Sequence, residues 1–191
     1  MKYLLSLVCF LFLSASAWAD DYYAVLFAPD CSCPKYCHVW GTFVQMHDGK
    51  LVKDVTISWA PQGGWNVLDR KKPGYNMSLS ESMSLSGKHA TCVWGPFVIS
   101  EDTFKKADVI YHTSGNYKMM DALSNNAENC IHHLSKVSGK RLITHVRYGK
   151  YAASAIYKHY CREGMVVRTV QGDMILEAIG VNRYRLRKMT P

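Results

Sequence analysis

The 191-residue chain predicts a single α+β domain in which a small antiparallel sheet packs on helices. Three observations point there. Two β-rich hairpin patterns lie toward opposite ends of the chain, helical patterns gather between them, and strands do not alternate one for one with helices. Neither an internal repeat nor a Pro/Ser-rich linker divides residues 20–191, whose length suits one hydrophobic core.

In chain order, Tyr22-Tyr23-Ala24-Val25-Leu26-Phe27 predicts a strand that breaks at Pro29. The first hairpin pairs His38 to Met46 with Leu51 to Trp59 around Asp48-Gly49, and Pro61-Gln62-Gly63-Gly64 ends it. Residues 62–95 read as loop-rich, with a short helix carrying Met77, Leu79, Met83 and Leu85. Ser100 is the expected N-cap of a helix with Glu101 and Asp102 in its first turn, running toward Thr113 and stopped by Gly115. Further helices are expected over about Asn129–Ser138, closed by Gly139, and Lys150–Tyr160. The second hairpin joins Met165–Val170 to Met174–Ile179 through Gln171-Gly172-Asp173, and Arg183–Lys188 alternates as a half-exposed basic strand.

Lys2, an apolar run from Tyr3 to Leu13, and the small-residue ending Ala17-Trp18-Ala19 form the pattern of a secretory signal peptide over residues 1–19. That run is too short to cross a bilayer of about 30 Å as a helix. A secreted or periplasmic domain over residues 20–191 is therefore expected. The 23 basic and 15 acidic side chains give a formal net charge of +8, and Lys2 alone of the basic residues leaves with the leader. Such a charge favours peripheral contact with anionic surfaces. Export and the lack of any recognition motif argue against a nucleic-acid partner.

Cys31, Cys33, Cys37, Cys92, Cys130 and Cys161 remain after the leader, and an oxidising compartment makes disulfides their default state. Cys130, in Asn125-Asn126-Ala127-Glu128-Asn129-Cys130-Ile131-His132-His133, falls in the expected first turn of a helix. Unpaired backbone N–H groups there favour the thiolate. An imidazole in reach would complete a nucleophile–base pair. His132 and His133 follow too closely on the same helix to face the thiol, which leaves His38, at the start of a strand, as the candidate base. A disulfide from Cys130 to Cys161 or Cys92 is the alternative. His132, His133, His145 and His159 otherwise read as surface or core residues, and Trp40, Trp59, Trp65 and Trp94 as core or cleft lining. Cys33-Pro34-Lys35-Tyr36-Cys37-His38 is a lengthened haem-attachment pattern, and Cys31, Cys33, Cys37 and His38 could hold zinc. A disulfide from that loop accounts for these cysteines more simply, so no metal or organic cofactor is expected.

Asn129-Cys130-Ile131-His132 followed by Leu134 resembles the nucleophile helix of the permuted papain-like thiol hydrolases, related to NlpC-type enzymes and especially the lecithin:retinol acyltransferase-like group. His38-Val39-Trp40-Gly41-Thr42-Phe43-Val44, the Asp48-Gly49 turn and Ser58-Trp59-Ala60-Pro61 resemble the hairpin that precedes the cysteine there. Arg147-Tyr148-Gly149-Lys150 and Ala153-Ser154 resemble the segment after it. The likeness covers about a third of residues 20–191. It implies a circularly permuted papain-like fold, with Cys130 as nucleophile and His38 as base. It also implies an amide or ester substrate in cell-wall peptide or lipid. The chain departs from the group in the single residue between His38 and Trp40, in Ile131 for an acidic residue, in His133 for an aromatic one, and in having no histidine between Lys50 and Pro61 to orient the base. Hairpin register offers a substitute: a three-residue His47-Asp48-Gly49 turn pairs Met46 with Lys50 and sets His38 opposite Ser58, whereas a two-residue turn sets Trp59 there. Ser58 is thus the third candidate. A non-enzymatic, disulfide-bonded binding domain of the same fold is the competing reading.

Overall fold

The computed structural model describes residues 20–29, 38–63, 72–84, 91–112, 115–117, 134, 137, 170–181 and 186–187. Its strands are β1 (Asp21–Pro29), β2 (Trp40–His47), β3 (Lys50–Ile57), β4 (Trp59–Pro61), β5 (Lys72–Asn76), β6 (Thr91–Val98), β7 (Gly115–Tyr117) and β8 (Leu186–Arg187). The helices, in chain order, are α1 (Leu79–Ser84), α2 (Glu101–Tyr111) and α3 (Val170–Ala178). This is an α+β fold. A five-stranded sheet has the order β3-β2-β1-β6-β8, antiparallel except where β8 runs beside β6, and a three-stranded sheet has the order β4-β5-β7.

Period-two alternation on the central strands divides the apolar side chains between two faces. Ala24, Leu26 and Ala28 of β1, Phe43 of β2, Val55 and Ile57 of β3, and Cys92 and Trp94 of β6 pack with Phe104 and Ala107 of α2. Leu134 and Val137, helical and three residues apart, join this face. Tyr23, Val25, Phe27, Trp40, Val44 and Val93 point the other way, onto Met83 of α1 and Ile175 and Leu176 of α3. Burying a side chain such as Leu134, 0% exposed, stabilises the fold by about 1.5–3 kcal/mol.

The α2 helix starts as its sequence predicts: Ser100 Oγ accepts from the Thr103 amide at 3.3 Å, with Glu101 and Asp102 at the positive end.

Three expectations are corrected. The turn between β2 and β3 has two residues, Asp48 and Gly49, both at positive φ (49° and 72°), with His47 paired to Lys50. That geometry matches the right-handed strand twist better than a longer loop. A bulge follows: Met46 pairs with Leu51 but Gln45 with Lys53, so Val52 is the extra residue and the register moves by one. Second, the expected hairpin through Gln171-Gly172-Asp173 is replaced over its second half by α3, which runs through the supposed turn. Ile175, Leu176 and Ile179 make one helical stripe against the sheet. Third, β6 lies within and just beyond a stretch read as loop, because Gly95-Pro96 looks like a terminator. Pro96 sits toward the end of β6, beyond the Thr91 and Cys92 pairing with β8, where its missing N–H breaks no described ladder. The leader (1–19) and the expected helix at 150–160 lie outside the described residues. No helix among the described residues is long and apolar enough to cross a membrane.

Candidate functional site

His38 and Val39 immediately precede β2. Val39 turns into the α2-side core, and Trp40 turns to the opposite face, 0% exposed and stacked on Phe27 with ring centroids 5.7 Å apart. His38 follows the Trp40 side: its ring lies 6.1 Å from the indole with the planes 20° apart. It is 9% exposed, and burial lowers its pKa from 6.5 to about 3, so the imidazole is neutral at physiological pH.

His38 Nε2 lies 2.9 Å from Ser58 Oγ. The contact is the one expected, but the register argued for it is not. With Gly41 opposite Ile57, a continued ladder would put Trp40, not His38, across from Ser58. The contact arises because the strand breaks at Ser58, where the chain leaves β3 for β4 in the second sheet, and because His38 precedes β2 proper.

Ser58 is held on every side. Its amide donates to Asn76 Oδ1 at 3.1 Å and its carbonyl accepts from the Met77 amide at 3.0 Å. Asn76 Nδ2 in turn donates to the carbonyls of Ile110 and Tyr111 at 3.4 and 3.1 Å, satisfying acceptors that the end of α2 leaves open. Ser58 Oγ also meets Ser82 Oγ of α1 at 2.6 Å, and Ser82 Oγ lies 2.8 Å from the Ser78 carbonyl oxygen. Ser58 and Ser82 are both 0% exposed. Ser78 caps α1 reciprocally with Glu81: the Ser78 amide donates to Glu81 Oε2 at 2.7 Å and the Glu81 amide to Ser78 Oγ at 3.2 Å. These bonds hold the Glu81 carboxyl below its ordinary range.

Ser82 and Asn76 were not singled out from sequence. The Ser78-x-x-Glu81 capping box could have marked α1 and the phase of Ser82 on it, whereas the reach of Asn76 to α2 is purely tertiary. Cys130 lies outside the described residues, as do Cys31, Cys33, Cys37 and Cys161 and with them the haem and zinc alternatives. Leu134, four residues after Cys130 in the sequence, packs so closely on β2 that a Cβ added at Gly41 would meet its Cδ2 at 2.7 Å. Cys92 is buried between the sheet and α2. Among the described residues no cluster of His, Cys, Asp and Glu could hold a metal ion.

At the outer edge of β3, a groove of about 260 Å³ runs between the start of α1 and the end of α2, lined by Lys53, Thr56, Ser78, Asp108 and Tyr111 among others. Lys53 and Asp108 form an ion pair there at 2.8 Å. Comparison with protein-family models, curated proteins and solved structures gave no match.

Proposed function

We propose that the chain is an exported thiol hydrolase or acyltransferase of permuted papain-like fold, with Cys130 as nucleophile, His38 as base and Ser58 orienting the base. The observation that carries this reading is the clamp on His38. A neutral, almost fully buried imidazole is fixed through Nε2 by the hydroxyl of Ser58, a residue itself held by three further contacts, a costly arrangement for a histidine with no task. Leu134 adds support, since its packing on Gly41 brings the chain following Cys130 onto the strand that His38 leads into.

In the proposed reaction His38 takes the thiol proton and the sulfur attacks an amide or ester carbonyl. The resulting oxyanion is stabilised in part by the Cys130 backbone N–H at the helix start. The imidazolium returns its proton to the departing amine or alcohol, and water or another acceptor then releases the acyl group. The basic surface favours substrates at anionic boundaries, in cell-wall peptide or lipid. The test is incubation with p-nitrophenyl acetate followed by intact and peptide mass spectrometry. An acetyl adduct on Cys130, absent from Cys130→Ser and His38→Ala, is expected; acetylation confined to surface lysines, equal in all three proteins, contradicts the proposal.

One observation favours a second reading. His38 sits on the Trp40 face, whereas Leu134 and Val137 pack on the α2 face. In that reading His38 is a structural histidine and Cys130 is tied into a disulfide of an exported binding domain. Thiol titration in denaturant, without and with reductant, separates the two: a blocked Cys130 supports this reading and a titratable one removes it.

A further inference from the structure

We propose that the groove along β3 is a peptide-binding site, in which an extended segment carrying a free amine pairs with the outer edge of β3 as an additional strand. That the segment is substrate rests on the thiol-hydrolase reading, which it narrows to peptides; the binding itself stands apart from that reading. Lys53, Asp54, Val55 and Thr56, four consecutive residues of β3, all line the groove. Successive side chains of a strand point to opposite faces, so four in a row share only the edge of the strand. Val55 belongs to the α2-side core, whereas Thr56 bonds Thr42 at 3.0 Å on the Trp40 side. The groove is therefore an edge slot. β3 is the outermost strand of the five-stranded sheet, and no described strand pairs with its outer side. Every second residue there turns its N–H and C=O outward, which presents donors and acceptors along about 13 Å of edge.

The walls admit one chain and not a second sheet. Ser78 and Leu79 at the start of α1 stand on one side, and Asp108 and Tyr111 near the end of α2 on the other. A lone extended segment fits between them, whereas the edge of a second copy would bring its own helices. Before the slot, the bulge at Val52 and the exposed Lys50 blunt the edge against sheet-to-sheet pairing. Beyond it, the Ser58 amide and carbonyl are taken by Asn76 and Met77, so the slot stops two residues short of the serine that meets His38. Charge selects the ligand. Both basic groups of the groove, Lys53 and His112, meet Asp108, at 2.8 and 3.6 Å. Asp54, exposed and on the Thr56 side, is left with no ion pair among the described residues. In a chain of net charge +8 this is a local acidic site, and an ammonium group complements it.

The probe is acetyl-Val-Thr-Lys-Thr-Val-amide, titrated into nitrogen-15-labelled protein, wild type and Cys130→Ser, and followed by NMR. Saturable shifts of the Lys53–Thr56 amides are expected in both. Norleucine in place of the peptide's lysine, or Asp54→Asn in the protein, should weaken binding about threefold, and the two changes together no further than either alone. N-methylation of alternate peptide amides should abolish binding for one set and spare it for the other, because a strand turns only every second N–H to its neighbour. Equal binding by the two N-methylated peptides, an affinity indifferent to Asp54, or shifts that follow protein concentration without peptide, the mark of a second copy, overturns the proposal. Binding as expected in a protein whose Cys130 takes no acetyl group keeps the site and removes the hydrolase reading; an acetylated Cys130 with no peptide bound along β3 does the reverse.

Discussion

His38 and His47 stand at opposite ends of β2, and the surroundings of the two rings are reversed. His47 is 39% exposed, and its Nδ1 meets Asp20 Oδ1 at 2.7 Å, while Gln45 Nε2 donates to the other carboxylate oxygen at 2.6 Å. These bonds hold the Asp20 carboxyl below its ordinary value, the one from Gln45 being the largest cause. At His38 burial lowers the pKa and keeps the ring neutral, and its Nε2 meets the Ser58 hydroxyl, which in turn meets that of Ser82. The His47 end gains from ionic attraction in water, which is weak and screened. At the His38 end a polar chain is withdrawn from water, so each hydroxyl there matters more because no solvent can replace it.

The sharpest way to break this contrast is to crowd the buried end. Gly41→Val would force Leu134 and Leu26, whose Cδ2 atoms lie 2.7 and 2.9 Å from a Cβ at that position, out of place. A loss of about 3 kcal/mol is expected in urea unfolding. Ser58→Ala is next, at about 2 kcal/mol, because it removes the partner of both His38 Nε2 and the Ser82 hydroxyl.

The pH dependence of stability separates the two histidines. Between the unfolded value near 6.5 and the folded value of about 3, the unfolded chain binds the His38 proton and the native one does not. Stability should therefore fall as pH falls through this window, by about 1.4 kcal/mol per unit from this group. Comparing wild type with His38→Gln between pH 6.5 and 5, above most carboxylates, isolates it: the variant should lose that part of the slope, and equal slopes would contradict the burial of a neutral imidazole.

At the turn, Gly49→Ala meets no neighbouring atom but must adopt positive φ, which predicts a cost of about 1 kcal/mol. The smallest effect belongs to Asp20→Asn. Because the folded carboxyl is depressed, its contribution is present above the unfolded value of 3.8 and is lost as pH falls below it. It should also fade in high salt; a salt-independent loss would show that the pair is not electrostatic.

The same contrast shows what the sequence could and could not disclose. Local chemistry was legible: Asp48-Gly49 marked the hairpin, Ser100 with Glu101 and Asp102 marked the start of α2, and runs of apolar and β-forming residues marked β1 and β2. Register was not. The bulge at Val52 leaves no local signature, and His38 reaches Ser58 only because the strand breaks there into a second sheet. Hidden too was β6, since Gly95-Pro96 signals a loop unless the position of β8 is known. In α3, β-branched and apolar residues around Gly172 imitate a hairpin, and only burial of Ile175 and Leu176 in the core cluster on that face of the sheet decides for helix. Ser82 belongs to neither category: its cap was readable, but its partner across the fold was not.

The central claim, that His38 serves the sulfur of Cys130, is tested most directly by the pH dependence of iodoacetamide alkylation at Cys130 in the native protein. The account predicts an inflection well below the ordinary thiol value of about 8.5 in the wild type, moving up toward it in His38→Ala. Identical profiles in the two proteins, or a Cys130 that reacts only after reduction, would contradict it.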